Sequence, residues 1–174
     1  MSIVTGRGDE GETDLLFGKR IAKDSPRMEA IGAADELTAA LGVARISCKG
    51  AEFEAAIDWM QDRLVALMGE LAVLPEDASR SGQDGYPLVV PEDVTRAESA
   101  ARVIEEGGVS LDGWARPGKA GNALAAQLEM ARAICRRAER RVLALGAEVG
   151  NPSIPLFLNR LSDWLWLAAR REES

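Results

Sequence analysis

"LAAQLEMARAICRRAERRVLAL", residues 124–145, carries apolar side chains at Leu124, Leu128, Ala131, Cys135, Ala138, Val142 and Leu145. The steps alternate between four and three, so this set falls on one face of a helix and the charges fall elsewhere. A period near 3.5 also favours helices packed at small crossing angles. The same rhythm runs through Phe53, Ile57, Met60, Leu64, Leu67, Leu71 and Leu74. It recurs in Ile154, Leu158, Leu161, Leu165 and Ala168, and in Ala30, Ala34, Leu37, Leu41 and Ala44. A shorter stripe joins Val94, Ala97, Ala101 and Ile104. No segment alternates convincingly as a strand. The stripes predict an all-α fold of five helices, near 27–46, 51–74, 92–106, 120–146 and 153–171. Ser25-Pro26 and Pro91-Glu92-Asp93 are start signals for the first and third. The second spans roughly 36 Å at about 1.5 Å per residue, a length suited to a bundle.

Two connections stand out. Residues 75–91 read as a turn-rich, mobile loop, and 107–121 set Trp114 among glycines just before Arg116-Pro117-Gly118. A loop tryptophan either folds back on the bundle end or covers a binding site.

The 174 residues, 47% hydrophobic and 28% charged, suit one domain with a sizeable core. No apolar run is long enough to span a bilayer, and the acidic, glycine-rich opening does not read as a signal peptide. A net charge of −7 argues against nucleic acid as a partner. Cys48 and Cys135 have no metal-site spacing, which fits reduced thiols in a cytoplasmic compartment. The chain contains no histidine. That excludes histidine general-base chemistry, Ser-His-Asp and Cys-His catalysis, and Glu-x-x-His di-iron bundles.

The opening "TGRGDEGET", 5–13, spells G-x-G-x-x-G at Gly6, Gly8 and Gly11. A dinucleotide fingerprint needs a buried strand before it and a helix after it. Only "MSIV" precedes these glycines, and Gly18 and Pro26 interrupt the downstream stretch where the helix would have to run, so that reading fails. The Walker pattern fails too, because no Gly-Lys-Ser/Thr closes the loop. Two readings remain: a frayed terminus, or a loop that wraps an anion with its backbone N–H groups.

The stretch "ARAICRRAERR" concentrates Arg132, Arg136, Arg137, Arg140 and Arg141 in a chain that is acidic overall. Like charges four apart cost a few tenths of a kcal/mol per pair. With only Glu139 among them, the stripe calls for an anion: acidic side chains on another element, or a polyphosphate. Glu139 suits orienting an arginine or holding a metal ion, or pairing with Arg136 three residues away. In "LNRLSDWLWLAAR", Asn159, Asp163 and Trp166 share a face, and Asp35-Glu36 lie beside Leu37 on the first helix.

Together "TGRGDEGET…LLFGKRIAKDSPRMEAIGAADEL", "ARAICRRAERR" and "LNRLSDWLWLAAR" resemble the PduO-type ATP:cob(I)alamin adenosyltransferases, in the family's order and over nearly the whole chain. The resemblance implies a single domain over 1–174: an ATP-binding segment, 1–24, and a five-helix, ferritin-like up-down bundle, 27–171. It also implies a homotrimer with ATP between neighbouring subunits. Thr5, Gly6, Arg7, Gly8, Asp9, Gly11 and Thr13 fall on the family's T-x-T-G-D-x-G-x-T, and Lys23 on its phosphate-binding lysine. Arg136, Arg137, Glu139 and Arg140 fall on its "RRAER", which meets the ATP phosphates and magnesium, with Asn159 beside the nucleotide. Asp35 corresponds to an acidic residue paired with an arginine across the interface, and Asp163 lies on the corrinoid side. By this reading the opening loop is disordered without ligand and closes over ATP.

Three positions depart from the pattern: Arg7 replaces a threonine, Thr38 an asparagine, and Trp114 a phenylalanine. The implied reaction needs no protein base, because cobalt(I) is itself the nucleophile. Trp114 is placed to displace the lower axial ligand of cobalamin. Arg136, Glu139, Arg140 and Trp114 are then the catalytic residues, ATP, Mg²⁺ and cobalamin the ligands, and a cobalamin reductase and an adenosylcobalamin-dependent enzyme the protein partners. Two other readings stand beside it: a paralogue that binds ATP or corrinoid without efficient turnover, motivated by Arg7, and a structural bundle whose arginines only make salt bridges.

Overall fold

The structure, a computed structural model, describes residues 4–110, 113 and 115–173. Long helices form where the apolar stripes run: α1 (Pro26–Ser47), α2 (Ala51–Leu71), α4 (Pro91–Glu106), α5 (Ala123–Leu143) and α6 (Ser153–Glu173). A short α3 (Ala78–Gln83) lies within the segment read from sequence as a loop. A correction also applies to the opening segment, where β1 (Glu12–Asp14) and β2 (Arg20–Ala22) pair antiparallel. Each has three residues, too few for alternation to show.

The helix starts have local causes. The Ser25 hydroxyl accepts a hydrogen bond from Met28 N at 3.3 Å, with Pro26 in the first turn of α1. Asp93 accepts from Val90 N at 3.0 Å at the head of α4. Asn122 accepts from Ala125 N at 3.2 Å and donates to Glu172 O at 2.6 Å, tying the start of α5 to the end of α6. α2 and α5 end at Leu71 and Leu143, three residues short of their sequence-based limits at 74 and 146. Leu145 nonetheless stays buried, carried in the turn that leads into a 3-10 segment at Gly146–Val149.

Neighbours follow the order α2, α1, α5, α6, α4. Antiparallel pairing shows in the cross-links. Arg45 of α1 bonds Asp58 of α2 at 3.0 Å, while Thr38 O accepts from Gln61 at 2.9 Å. Glu29 and Glu36 of α1 meet Arg141 and Arg137 of α5, in that order. The core is closed by aromatics: Phe53 of α2 stacks on Trp164 of α6 at 5.0 Å, and Trp59 meets Phe157 edge-on at 5.9 Å.

Two buried arginines tie the elements of the core together. Arg170 and Glu129, 7% and 5% exposed, bridge α6 to α5 at 3.2 Å. Arg27, 3% exposed, donates to Leu71 O at 2.8 Å and Val73 O at 3.2 Å, and pairs with Glu148 at 3.0 Å. It satisfies carbonyls that the end of α2 leaves open and joins them to the turn after α5.

Candidate active site

The opening loop is folded back on the hairpin. Gly6 and Gly11 adopt φ of 70° and 83°, left-handed values that favour glycine. Turns close through Asp9 N to Gly6 O at 3.1 Å and Gly11 N to Gly8 O at 3.3 Å. Lys23 closes the loop from the other side: its N donates to Gly11 O at 2.8 Å and its Nζ to Gly8 O at 2.6 Å. A Cβ on Gly8 would lie 2.7 Å from that ammonium, so only glycine lets the lysine lie here undisturbed. Thr5, Arg7 and Asp9 are exposed and Thr13 half-buried. The hairpin hangs on the bundle through the buried Leu15 and through Leu16 N to Ala72 O at 3.1 Å.

The α5 arginines divide into two groups. Arg132 pairs with Glu129 at 2.8 Å, Arg137 with Glu36, and Arg141 with Glu29 at 3.6 Å. Arg136 and Arg140, one turn apart and exposed, have no acidic partner among the described residues. Burial of the intervening apolar stripe keeps this pair on the outer face. Beside them Glu139, half-buried, accepts a hydrogen bond from Asn159 Nδ2 of α6 at 3.3 Å. Glu139 therefore faces Asn159, and the i,i+3 pairing with Arg136 does not form.

Asp163 is exposed and accepts from Arg160 at 2.9 Å, with Glu98 of α4 3.5 Å from the same guanidinium. Asp163, Trp166 and Leu167 line one wall of an α4–α6 groove of about 330 Å³, with Ala101 and Arg102 opposite. Asp35 is exposed on α1, without an ion pair among the described residues. Trp114 lies outside the described residues.

Arg136, Glu139, Arg140 and Asn159 thus share one region of the α5–α6 face. The opening loop with Lys23 forms a second cluster, and no hydrogen bond or ion pair joins the two among the described residues. Sequence reasoning overlooked Glu29 and Arg20. Glu29 and Glu36 lie seven apart on α1, two helical turns, and that spacing was the available signal for an acidic face opposite α5.

No group of three metal-ligating side chains occurs among the described residues. Glu139 Oε2 accepts no hydrogen bond among the described residues, so Glu139 offers a single carboxylate oxygen. That suits Mg²⁺, which takes one or two carboxylates and completes its shell with phosphates and water. Burial raises the Cys135 thiol pKa far above its ordinary value, and also raises that of Cys48. No helix among the described residues is long and apolar enough to cross a membrane.

The family pattern for cobalamin adenosyltransferases matches residues 3–172. This chain belongs to the cobalamin adenosyltransferase family. It is 33% identical over its full length to the corrinoid adenosyltransferase PduO of Salmonella typhimurium, and spans 50% of that relative. A corrinoid adenosyltransferase of Citrobacter freundii is 37% identical over 99% of the chain and 95% of its own length. In fold the chain is similar to a phenylalanine-to-alanine variant of the Lactobacillus reuteri PduO-type enzyme, complexed with cobalamin and ATP. The TM-score is 0.85 at 27% identity, covering 97% of this chain and 92% of that one. An arginine-to-lysine variant of the same enzyme, complexed with ATP, gives a TM-score of 0.82 at 27% identity, covering 97% and 93%.

Proposed function

We propose that this chain transfers the 5′-deoxyadenosyl group of ATP to the cobalt of cob(I)alamin, forming adenosylcobalamin and releasing triphosphate. The observation that carries the reading is the split among the α5 arginines. Arg132, Arg137 and Arg141 are neutralised within the chain, whereas Arg136 and Arg140 are left together with Glu139 and Asn159. Two cations at adjacent turns with no ion-pair partner among the described residues suit a triphosphate.

Cobalt(I) attacks the 5′ carbon, a Co–C bond forms, and the C–O bond breaks with its electron pair leaving on triphosphate. No proton needs to move, which fits a chain without histidine. Arg136, Arg140, Lys23 and the loop amides of Gly6 and Gly8 stabilise charge on the departing phosphates, in a loop that Gly11 helps to turn. Thr5, Arg7, Asp9 and Thr13 belong to the same ATP-binding surface, which Arg137 would join only by leaving Glu36. Glu139, oriented by Asn159, would hold Mg²⁺, which neutralises phosphate charge when bound. Asp163 and the α4–α6 groove are assigned to the corrinoid side, and Trp114 to displacing its lower ligand.

The alternation of helix directions supports the ferritin-like up-down bundle over 27–171, with 1–24 as an ATP-binding segment of the same domain. The separation of the loop from Arg136 and Arg140, with Asp35 exposed, supports a homotrimer whose site is completed between subunits. A reaction needing cobalt(I) also fits a reducing, cytoplasmic compartment, with a cobalamin reductase upstream and an adenosylcobalamin-dependent enzyme downstream.

Thermal shift with MgATP, followed by anaerobic conversion of chemically reduced cobalamin to adenosylcobalamin, tests the reading. Stabilisation and turnover are expected. Binding without turnover would favour the paralogue, and no response to either ligand would favour the structural bundle.

A further inference from the structure

The hairpin carries ion pairs to which the reaction assigns no chemistry. Arg20 on β2 stands opposite Asp14 on β1 in the strand register. Its Nη1 donates to Asp14 Oδ1 at 3.0 Å and its Nε to Glu12 Oε2 at 3.1 Å. Its Nη2 donates to the Arg7 carbonyl at 3.0 Å. One planar guanidinium therefore fastens the near end of the loop to both charged residues of β1. The rigid fork of donors makes such a three-point hold possible, and a lysine could not reproduce it. Arg7 closes the ring, its Nη2 reaching the same Asp14 Oδ1 at 3.1 Å.

We propose that Arg7, Asp14 and Arg20 form a strap that holds the loop 5–13 in its ATP-binding shape, with Arg7 a positioning residue rather than a phosphate ligand. The strap rests on the ATP-binding reading of this loop. Arg7 replaces a small hydroxyl in the middle of a phosphate-binding pattern, yet its guanidinium is turned onto the hairpin by Asp14. The pairs are solvent-exposed, so each alone is weak. Their effect comes through preorganisation: a loop already shaped for its ligand loses less conformational freedom on binding. Such a strap should change the affinity for ATP and leave the chemical step alone.

Asp14→Asn, Arg7→Thr and the double variant should be compared with wild type in two measurements. One is amide hydrogen exchange over residues 6–13 without nucleotide, and the other is the KM for ATP alongside kcat. Asp14→Asn should speed exchange at Asp9 and Gly11 and raise KM about two- to fivefold, the scale of exposed ion pairs. The loss should fall on KM rather than kcat. The double variant should be no worse than the poorer single variant, because both substitutions cut the same link.

A phosphate-ligand Arg7 would behave differently. Asp14→Asn would release it, leaving KM unchanged or lower, and Arg7→Thr would cost as much in the Asp14→Asn background as in wild type. Either result overturns the strap. If wild type itself fails to bind MgATP, the functional reading has failed. Exchange alone then decides the strap, and unchanged loop exchange in Asp14→Asn refutes it.

Discussion

Replacing Arg140 with alanine should separate ATP binding from folding. The guanidinium is exposed and has no acidic partner among the described residues, so its removal breaks no internal ion pair. It also relieves the repulsion from Arg136 one turn away, worth a few tenths of a kcal/mol, and alanine is the best helix former. The midpoint of thermal unfolding should therefore hold or rise slightly. A charge-assisted contact to phosphate is worth about 1.5–3 kcal/mol, so the KM for ATP should rise about ten- to a hundredfold. Arg136→Ala should behave alike. Arg141→Ala is the internal control: its partner Glu29 is 3.6 Å away and both side chains are about half exposed. An exposed pair of that kind is worth about 0.2–1 kcal/mol of stability, and its loss should leave KM within about twofold. Anaerobic initial rates across a range of MgATP, with calorimetric melting of each variant, provide the comparison. Normal ATP affinity in Arg136→Ala and Arg140→Ala, or an equal loss in Arg141→Ala, would refute the assignment of the unpaired arginines to phosphate.

Gly8→Ala should leave melting nearly unchanged, since the atom its Cβ meets at 2.7 Å is the movable end of Lys23. The displaced ammonium should raise the KM for ATP by up to about tenfold, and an unaltered KM would remove Lys23 from the phosphate site. Arg27→Met should cost about 3 kcal/mol by stranding the Leu71 and Val73 carbonyls, a fall of roughly 6–12 °C in melting temperature. A drop under about 2 °C would mean that water satisfies those carbonyls equally well. If Trp114 displaces the lower ligand, cobalt(II) bound to the wild type should give the paramagnetic resonance signal of a four-coordinate ion, and Trp114→Ala should lose that signal while leaving ATP affinity alone. Adenosylation should fall further from cob(II)alamin with a weak reductant than from prepared cob(I)alamin. Equal losses with the signal intact would reduce Trp114 to a packing residue.

The long helices were legible because apolar period is a local property, repeated often enough in each stripe to fix a face. Their ends were not. Leu74 and Leu145 continue the rhythm, but the backbone leaves the helix before them, at Leu71 and Leu143, and Leu145 is buried from a turn. The hairpin escaped notice because three-residue strands cannot display alternation, and α3 because "ASRSGQ" has no apolar face. At the site, the arginine concentration was visible in the sequence. Its division into paired and unpaired members was not, because that depends on α1 lying against α5 with Glu29 and Glu36 turned toward it. Arg27 illustrates the same limit: a lone arginine in a first helical turn reads as surface until the end of α2 is brought over it.

The raised thiol pKa values have a meaning beyond packing. Imidazole and thiolate are the side chains that bind soft or borderline metals most readily. This chain has no histidine, Cys135 is sealed beneath α6 with its Sγ donating to Leu158 O at 3.2 Å, and burial raises the pKa of the Cys48 thiol. On the proposed reaction, cobalt is more easily reduced once it has shed its lower ligand, and any coordinating side chain nearby would compete to replace it. The chain thus offers the metal no imidazole and no exposed thiolate to hold. Its inertness as a ligand would serve the corrinoid as directly as its arginines serve the nucleotide.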